Sequence, residues 1–146
     1  SAICRAAAMS WEDLRRMAKD PLCAIGAHTM NHYALSRLEP DEVVREAVES
    51  AGEIARQLGR MPKLFAYPYG DETSAGPREF ALIKQAGFAA AVTTRKGLVS
   101  RGHSGHLTAL PRVSLNGNFQ KLRYLDVLLS GIAYMPLNRF RAVNAG

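Results

Sequence analysis

The sequence has few cysteines, no long apolar run and almost no acidic residues in its second half. Cys4 and Cys23 are the only cysteines among 146 residues, and two isolated cysteines make neither a CxxC zinc ribbon nor a disulfide framework, so we take both as free thiols. No stretch approaches the ~20 apolar residues that cross a bilayer, so the sequence predicts no membrane span. The first residues also lack the basic-then-apolar layout of a signal peptide.

Acidic residues are scarce after position 79. Residues 80–146 contain nine Lys and Arg but only Asp126 as an acid, whereas residues 1–79 contain ten basic and twelve acidic residues. A basic half can attract phosphates or an anionic polymer. The nine cations are scattered, however, with no interleaved aromatic strand pair or recognisable motif. This pattern favours a solvated surface over a nucleic-acid module, and we predict no nucleic-acid partner.

The overall composition is that of a globular domain, with 47% hydrophobic and 22% charged residues. A chain of this size can bury a core without metal or disulfide scaffolding. We predict a single domain over residues 1–146, with its core in about 10–113 and a helix and tail in 114–146.

Helical and short apolar segments alternate along the chain, which is typical of an α/β domain with parallel strands. Three- and four-residue apolar spacing, with Pro, Ser and Gly at the ends, predicts helices over residues 11–19, 40–58, 77–85 and 119–129. Short apolar runs predict strands over residues 22–27, 64–67, 88–94 and 110–113. An eight-stranded barrel needs ~250 residues, so the chain is either a small open sheet or part of a barrel. Function is expected at the strand ends.

Two histidines follow the first predicted strand directly, in the segment His28-Thr29-Met30-Asn31-His32. On a helical turn, this four-residue spacing would allow both imidazoles to bind one divalent ion. Histidines that only cap or pack are common, and a catalytic zinc usually has three protein ligands and an open position. The pair is therefore an incomplete candidate site that needs a third ligand, for which a carboxylate is the natural choice.

A second polar segment, Phe65-Ala66-Tyr67-Pro68-Tyr69-Gly70-Asp71, follows the next predicted strand. Pro and Gly beside an aromatic residue fix a turn, and outward-facing N–H groups in such a turn can stabilise an oxyanion. The alternative is a plain strand-exit turn with core aromatics.

In this order and spacing, IGAHTMNH, FAYPYGD and GFAAAVTT resemble the polysaccharide deacetylases of the NodB-homology type, carbohydrate esterase family 4. The resemblance covers roughly residues 10–113. It implies an α/β fold that forms part of a distorted NodB-type (β/α) barrel. The implied activity is metal-dependent hydrolysis of N-acetyl or O-acetyl groups on a glycan, an N-acetylglucosamine polymer or oligomer.

The resemblance also implies the roles of particular residues. His28 and His32 would bind zinc, cobalt or another first-row ion, with Thr29 orienting them. The backbone amide of Tyr69 would be the catalytic group that holds the oxyanion, and the substrate-binding residues would be Tyr67, Pro68 and Asp71. The family's groove motif is Arg-x-Pro-Tyr. Its arginine, which orients a catalytic aspartate, is replaced by Ala66, which puts the positioning of that base in question.

The chain departs from the family pattern upstream of His28. The family's Thr-Phe-Asp-Asp strand, which supplies the general base and third metal ligand, is absent. The acids before His28 are on the first predicted helix or its end (Glu12, Asp13 and Asp20). We expect the chain to be the C-terminal part of a deacetylase that lacks its first strand, and to be inactive or impaired alone; a divergent inactive relative is the alternative. The family's late Leu-His pair is also not evident, and we expect His103 and His106 to be ordinary loop histidines.

The alternative function is that of a non-catalytic carbohydrate-binding relative, which would keep the groove aromatics and lose its metal dependence. A barrel without its first strand would also expose an apolar sheet edge, which the chain must cover by self-association or by its own tail, so a homo-oligomer is a reasonable hypothesis.

Overall fold

The computed structural model describes residues 8–115, 117, 121–138 and 143. Its helices are α1 (Trp11–Met17), α2 (Pro40–Leu58), α3 (Pro77–Gln85) and α4 (Leu122–Leu129). Its strands are β1 (Leu64–Ala66), β2 (Ala90–Lys96) and β3 (Leu110–Arg112), and short 3₁₀ helices lie at Leu35–Arg37, Arg101–Gly105, Leu107–Ala109 and Ile132–Tyr134. The predicted bounds of α2 and α3 are confirmed. Of the predicted last helix, residues 119 and 120 lie outside the described residues.

The longest helix, α2, has strong signals at both ends. Pro40 occupies its first turn, and the Glu42 carboxylate accepts a hydrogen bond from the N–H of Glu39 at 3.0 Å. Gly59 ends it with a φ of 73°, the left-handed conformation that glycine adopts readily. The buried face repeats every four residues, at Val43, Ala47 and Ala51.

The three strands are parallel and lie in the order β1-β2-β3. Ala27 adds a single parallel bridge to Phe65 on the other side of β1. Strands that are consecutive in the chain are therefore neighbours in the sheet, and each lies on the same side of the strand before it. Consecutive parallel strands that are neighbours in the sheet are the arrangement within a β/α barrel, and these strands form part of one.

The predicted strand over residues 22–27 is wrong except at its last residue. Asp20 instead starts a turn: its carbonyl accepts from the N–H of Cys23 at 3.0 Å, and its carboxylate accepts from the N–H of Leu22 at 2.8 Å. Leu22 is 95% exposed, so the apolar run is not buried on both faces. Only Ala27 pairs with the sheet, with hydrogen bonds of 2.8 and 2.9 Å to β1. Self-association through this edge remains a prediction.

The core lies between the sheet and helices α2 and α3. Phe65, Ala91 and Ile83 are almost completely buried in it, together with the apolar face of α2. Cys23 is half-buried and is a free thiol. Within the described part of the chain, no helix is both long and apolar enough to cross a membrane.

Candidate functional site

The structure brings His28, His32 and Tyr69 together at the carboxyl end of the sheet. His28 follows the bridge residue Ala27, and Tyr69 lies in the turn after β1. The ring centroids of His28 and His32 are 4.9 Å apart, and those of His32 and Tyr69 are 5.1 Å apart, both edge-to-face. All three side chains are exposed.

The two histidines do not lie on a helical turn, which corrects the geometric reasoning from their spacing. Residues 28–32 form an irregular loop, in which Thr29 and His32 have left-handed φ values of 66° and 58°. Tyr69 is also left-handed, with a φ of 62°. Each such residue costs on the order of 1 kcal/mol and persists only where surrounding contacts impose it. The three strained residues coincide with the site predicted from the sequence.

Hydrogen bonding fixes the orientation of His28. Its Nδ1 lies 2.7 Å from the carbonyl oxygen of Ala66. A carbonyl can only accept, so Nδ1 carries the hydrogen and the lone pair of the neutral ring is on Nε2. Thr29 acts on the backbone and not on a ring, because its Oγ1 accepts from the N–H of His32 at 3.0 Å. Both contacts hold the pair in place.

A buried carboxylate, Glu46 of α2, holds the loop between the histidines. Its Oε2 accepts from the N–H groups of Met30 and Asn31, each at 2.9 Å, and its Oε1 accepts from Asn31 Nδ2 at 2.6 Å. Burial raises the pKa of Glu46, but these hydrogen bonds and the charge of Arg45 outweigh it, and the pKa lies below its ordinary value. The sequence reasoning missed this residue, although a glutamate three residues after Val43 on an apolar helix face was a usable signal.

The turn after β1 is held on both sides of Tyr69. The N–H of Gly70 donates to the Pro68 carbonyl at 2.7 Å, and the Gly70 carbonyl accepts from the N–H of Thr94 at 3.0 Å. The Thr94 hydroxyl donates to the Tyr69 carbonyl. Pro68 is buried. Among the described residues, the N–H of Tyr69 has no acceptor, so it is available to an oxygen atom of a ligand.

The side chains of Tyr67 and Asp71 both form hydrogen bonds within the protein. Tyr67 is 2% exposed, and its hydroxyl donates to the Thr108 carbonyl at 2.7 Å. Burial raises the pKa of Tyr67 above its usual range. The Asp71 carboxylate accepts hydrogen bonds from Thr73 and Ser74, which lower its pKa to about 2. Substrate binding by Tyr67, Pro68 and Asp71 stays a prediction.

Replacing Tyr67 with phenylalanine is expected to destabilise the chain by about 1 kcal/mol, because the Thr108 carbonyl loses its buried donor. Urea unfolding followed by circular dichroism measures this difference. Tyr33→Phe is the matched control, since the Tyr33 side chain is 53% exposed. Equal stability of the two variants would contradict a structural role for the Tyr67 hydroxyl.

His103 lies in the 3₁₀ helix Arg101–Gly105 and not in a plain loop, and its contacts are structural. It is 1% exposed. Its Nδ1 accepts from the N–H of Ser100 at 2.9 Å, and its Nε2 lies 2.7 Å from the Val143 carbonyl, to which it donates. His106 is exposed. In the described ranges, no three His, Cys, Asp or Glu side chains come close enough to hold a metal ion, so His28 and His32 stand as a pair.

A family model described as polysaccharide deacetylase matches residues 2–91, which is more than half of the chain. The chain therefore belongs to the polysaccharide deacetylase family. No curated protein matches the chain in sequence.

Solved deacetylase structures share the fold. The Streptococcus pyogenes deacetylase PplD, in complex with acetate, has a TM-score of 0.72 and 22% identity over 82% of this chain and 50% of its own. A polysaccharide deacetylase from Bacillus cereus has a TM-score of 0.71 and 18% identity over 83% of this chain and 37% of its own. The BpsB deacetylase domain from Bordetella bronchiseptica has a TM-score of 0.61 and 21% identity over 71% of this chain and 48% of its own. The chain thus spans half or less of each structure.

Proposed function

We propose that this chain supplies a metal-binding histidine pair and an oxyanion-stabilising amide for the hydrolysis of acetyl groups on a glycan. The observation that carries the proposal is the convergence of His28, His32 and Tyr69 at one end of the sheet, in a chain of the polysaccharide deacetylase family. The proposed substrate is an N-acetylglucosamine polymer or oligomer.

The two imidazoles fit a first-row divalent ion as two of its ligands. The Nδ1–H of His28 donates to a backbone carbonyl, an arrangement common for metal-binding histidines because it directs the Nε2 lone pair outward. Zinc, cobalt or another first-row ion suits such donors. When bound, an ion of this kind polarises a carbonyl group and lowers the pKa of water.

The chain's own contribution beyond the metal ligands is a fixed hydrogen-bond donor. The Tyr69 N–H lies in a turn that Thr94 and Pro68 hold rigidly, so it would bind the oxygen of a tetrahedral intermediate without reorganisation. Glu46 is not a proton-transfer group here, because its carboxylate is occupied by Met30 and Asn31.

The described residues bring no carboxylate to the histidine pair. A two-imidazole site binds a metal ion less tightly than a three-ligand site. We therefore propose that the 146-residue chain alone binds metal weakly and is inactive or impaired as a deacetylase.

Zinc or cobalt titration by calorimetry tests this function. We expect weak binding to the wild-type chain and at least a tenfold loss of affinity in the His28→Ala, His32→Ala double variant, because both proposed donors are removed. His106→Ala is the matched control and should bind like wild type. Equal affinities of the wild type and the double variant would overturn the proposal.

A non-catalytic carbohydrate-binding role is the second candidate. It is favoured by the absence of a third ligand in the described part of the chain and by the exposure of Tyr33 and Tyr69 beside the histidines. Binding of chitooligosaccharides that a chelator leaves unchanged would support this role. Binding lost with the chelator would support the metal-dependent site.

A further inference from the structure

A cavity of about 410 Å³ adjoins the histidine pair, a volume in the usual range of ligand pockets. His32 and Tyr69 of the candidate site form part of its wall, so the cavity is continuous with that site. Tyr33 also lines it, and the side chains of Tyr33 and Tyr69 are 53% and 56% exposed. Two exposed tyrosine rings beside a cavity provide apolar faces and hydroxyl groups, which suit the mixed surface of a sugar.

Among the described residues that line this cavity, Arg37 is the one arginine or lysine, and none is acidic. Within the described ranges, the guanidinium group of Arg37 forms no hydrogen bond or ion pair. Among the described residues, the Asp71 carboxylate accepts hydrogen bonds from Thr73 and from the cavity residue Ser74 and forms no ion pair with Arg37. Arg37 is therefore available to a ligand.

The backbone that carries Arg37 is firmly anchored. In the 3₁₀ helix Leu35–Arg37, the N–H of Ser36 donates to the Ser74 carbonyl at 3.0 Å, and the Ser36 hydroxyl donates to the Thr73 carbonyl at 2.7 Å. Leu35 is completely buried.

A second arginine, Arg78, stabilises the same 3₁₀ helix through hydrogen bonds to its carbonyl groups and to that of Leu38, which follows it. Arg78 Nη2 donates to the carbonyls of Leu35 and Leu38, at 3.2 and 2.9 Å, and Arg78 is paired with Glu79 at 2.6 Å. The backbone of Arg37 is therefore held in place before a ligand binds, which lowers the entropic cost of binding.

We infer that this site takes an acetylated glycan carrying an anionic group, a carboxylate or a phosphate, and that Arg37 is the residue that selects it. The inference rests on the proposed function, because the cavity shares His32 and Tyr69 with the deacetylation site. The planar fork of arginine matches both groups with two parallel hydrogen bonds. Because Arg37 lines the cavity that His32 and Tyr69 also line, the anionic group and the acetyl group would belong to the same glycan.

Protein-observed NMR titrations with three sugars test the inference. The probes are N-acetylglucosamine, N-acetylmuramic acid and N-acetylglucosamine 6-phosphate, which are neutral, carboxylated and phosphorylated. We expect at least one anionic sugar to bind about three- to tenfold more tightly than the neutral sugar, a modest gain because Arg37 is exposed. The preference should weaken with added salt.

Two variants distinguish a specific role of Arg37 from a general effect of positive charge on the protein. Arg37→Gln should remove the preference for the anionic sugars over N-acetylglucosamine. Lys84→Gln removes a cation from a different cavity and should keep the preference. A preference that survives in Arg37→Gln would overturn the inference. Inorganic phosphate that binds as tightly as the phosphorylated sugar would overturn it too, since the site would then recognise an anion and no glycan.

The outcomes also distinguish this inference from the proposed function. Equal binding of all three sugars would overturn the role of Arg37 and leave the deacetylase proposal intact. Binding of none of them would overturn the inference, whereas the proposed function is judged by the metal titration of His28 and His32, which does not involve Arg37.

Discussion

Replacing Glu46 with alanine is expected to destabilise the chain by about 3 kcal/mol, because a buried carboxylate and its three hydrogen bonds are lost together. The N–H groups of Met30 and Asn31 would then lack their acceptor. Urea unfolding at neutral pH measures the change. The affinity of the His28 and His32 pair for zinc should fall in the same variant, since Glu46 holds the loop between them.

Glu49→Ala is the matched control for this prediction. Glu49 is on the same helix as Glu46 but its side chain is exposed, so its removal should change the free energy of unfolding by less than about 0.5 kcal/mol. Equal effects of the two substitutions would show that Glu46 does not anchor the loop.

The contribution of Glu46 to stability should depend on pH. Its pKa is lowered in the folded state: burial raises it, and the hydrogen bonds from Asn31 and Met30 more than compensate. A lowered folded pKa means that the contribution is complete above the ordinary value of 4.5 and is lost as the pH falls through the folded value. The stability difference between wild type and Glu46→Ala should therefore shrink on acidification below that range.

Gly70→Ala is expected to destabilise the chain by about 3 kcal/mol, from a left-handed backbone that alanine disfavours and from steric overlap. The φ of Gly70 is 66°, and a Cβ there would lie 2.8 Å from the backbone nitrogen of Thr94. That nitrogen donates to the Gly70 carbonyl, so relief of the clash would move the Tyr69 turn. Thermal unfolding measures the loss, and the NMR shift of the Tyr69 amide reports the movement.

Gly52→Ala is the matched control, and we expect it to change the stability in the opposite direction. Gly52 lies inside α2, and apart from the neighbouring backbone of the helix itself, no atom lies within 4 Å of an added Cβ. Alanine is favoured over glycine in a helix by about 1 kcal/mol, so this variant should be more stable than wild type. A Gly70→Ala protein as stable as wild type would contradict the close approach of Thr94.

Local signals explain the parts of the fold that the sequence predicted well. Helices α2 and α3 begin at prolines and have amphipathic patterns, so their bounds depend mainly on neighbouring residues. Residues 22–27 show the limit of this reasoning. Their apolar pattern suits a buried strand, but burial also requires neighbours on both sides, and the Asp20 carboxylate and carbonyl capture the amides that would enter the sheet.

The candidate site was predicted in part, and its supporting residues were not. His28 and His32 were found from their spacing, yet they meet through a strained loop that spacing does not reveal. Glu46 lies fifteen residues from Asn31 in sequence, so their pairing depends on how α2 packs. Tyr67 directly follows β1, and it packs on the same buried side as Phe65, two residues earlier; this two-residue alternation favours a core position over a place in the substrate groove.

Thr29, His32 and Tyr69 have left-handed backbone conformations, which lower the stability of the fold but set the geometry of the candidate site. Glycine or asparagine would relieve strain at each position, so selection for thermal stability alone would favour them there. The same replacements would loosen the backbone that fixes two imidazoles and an amide in space. If the site has the proposed function, stability and function compete at these three positions, which are the described residues other than glycine with a positive φ.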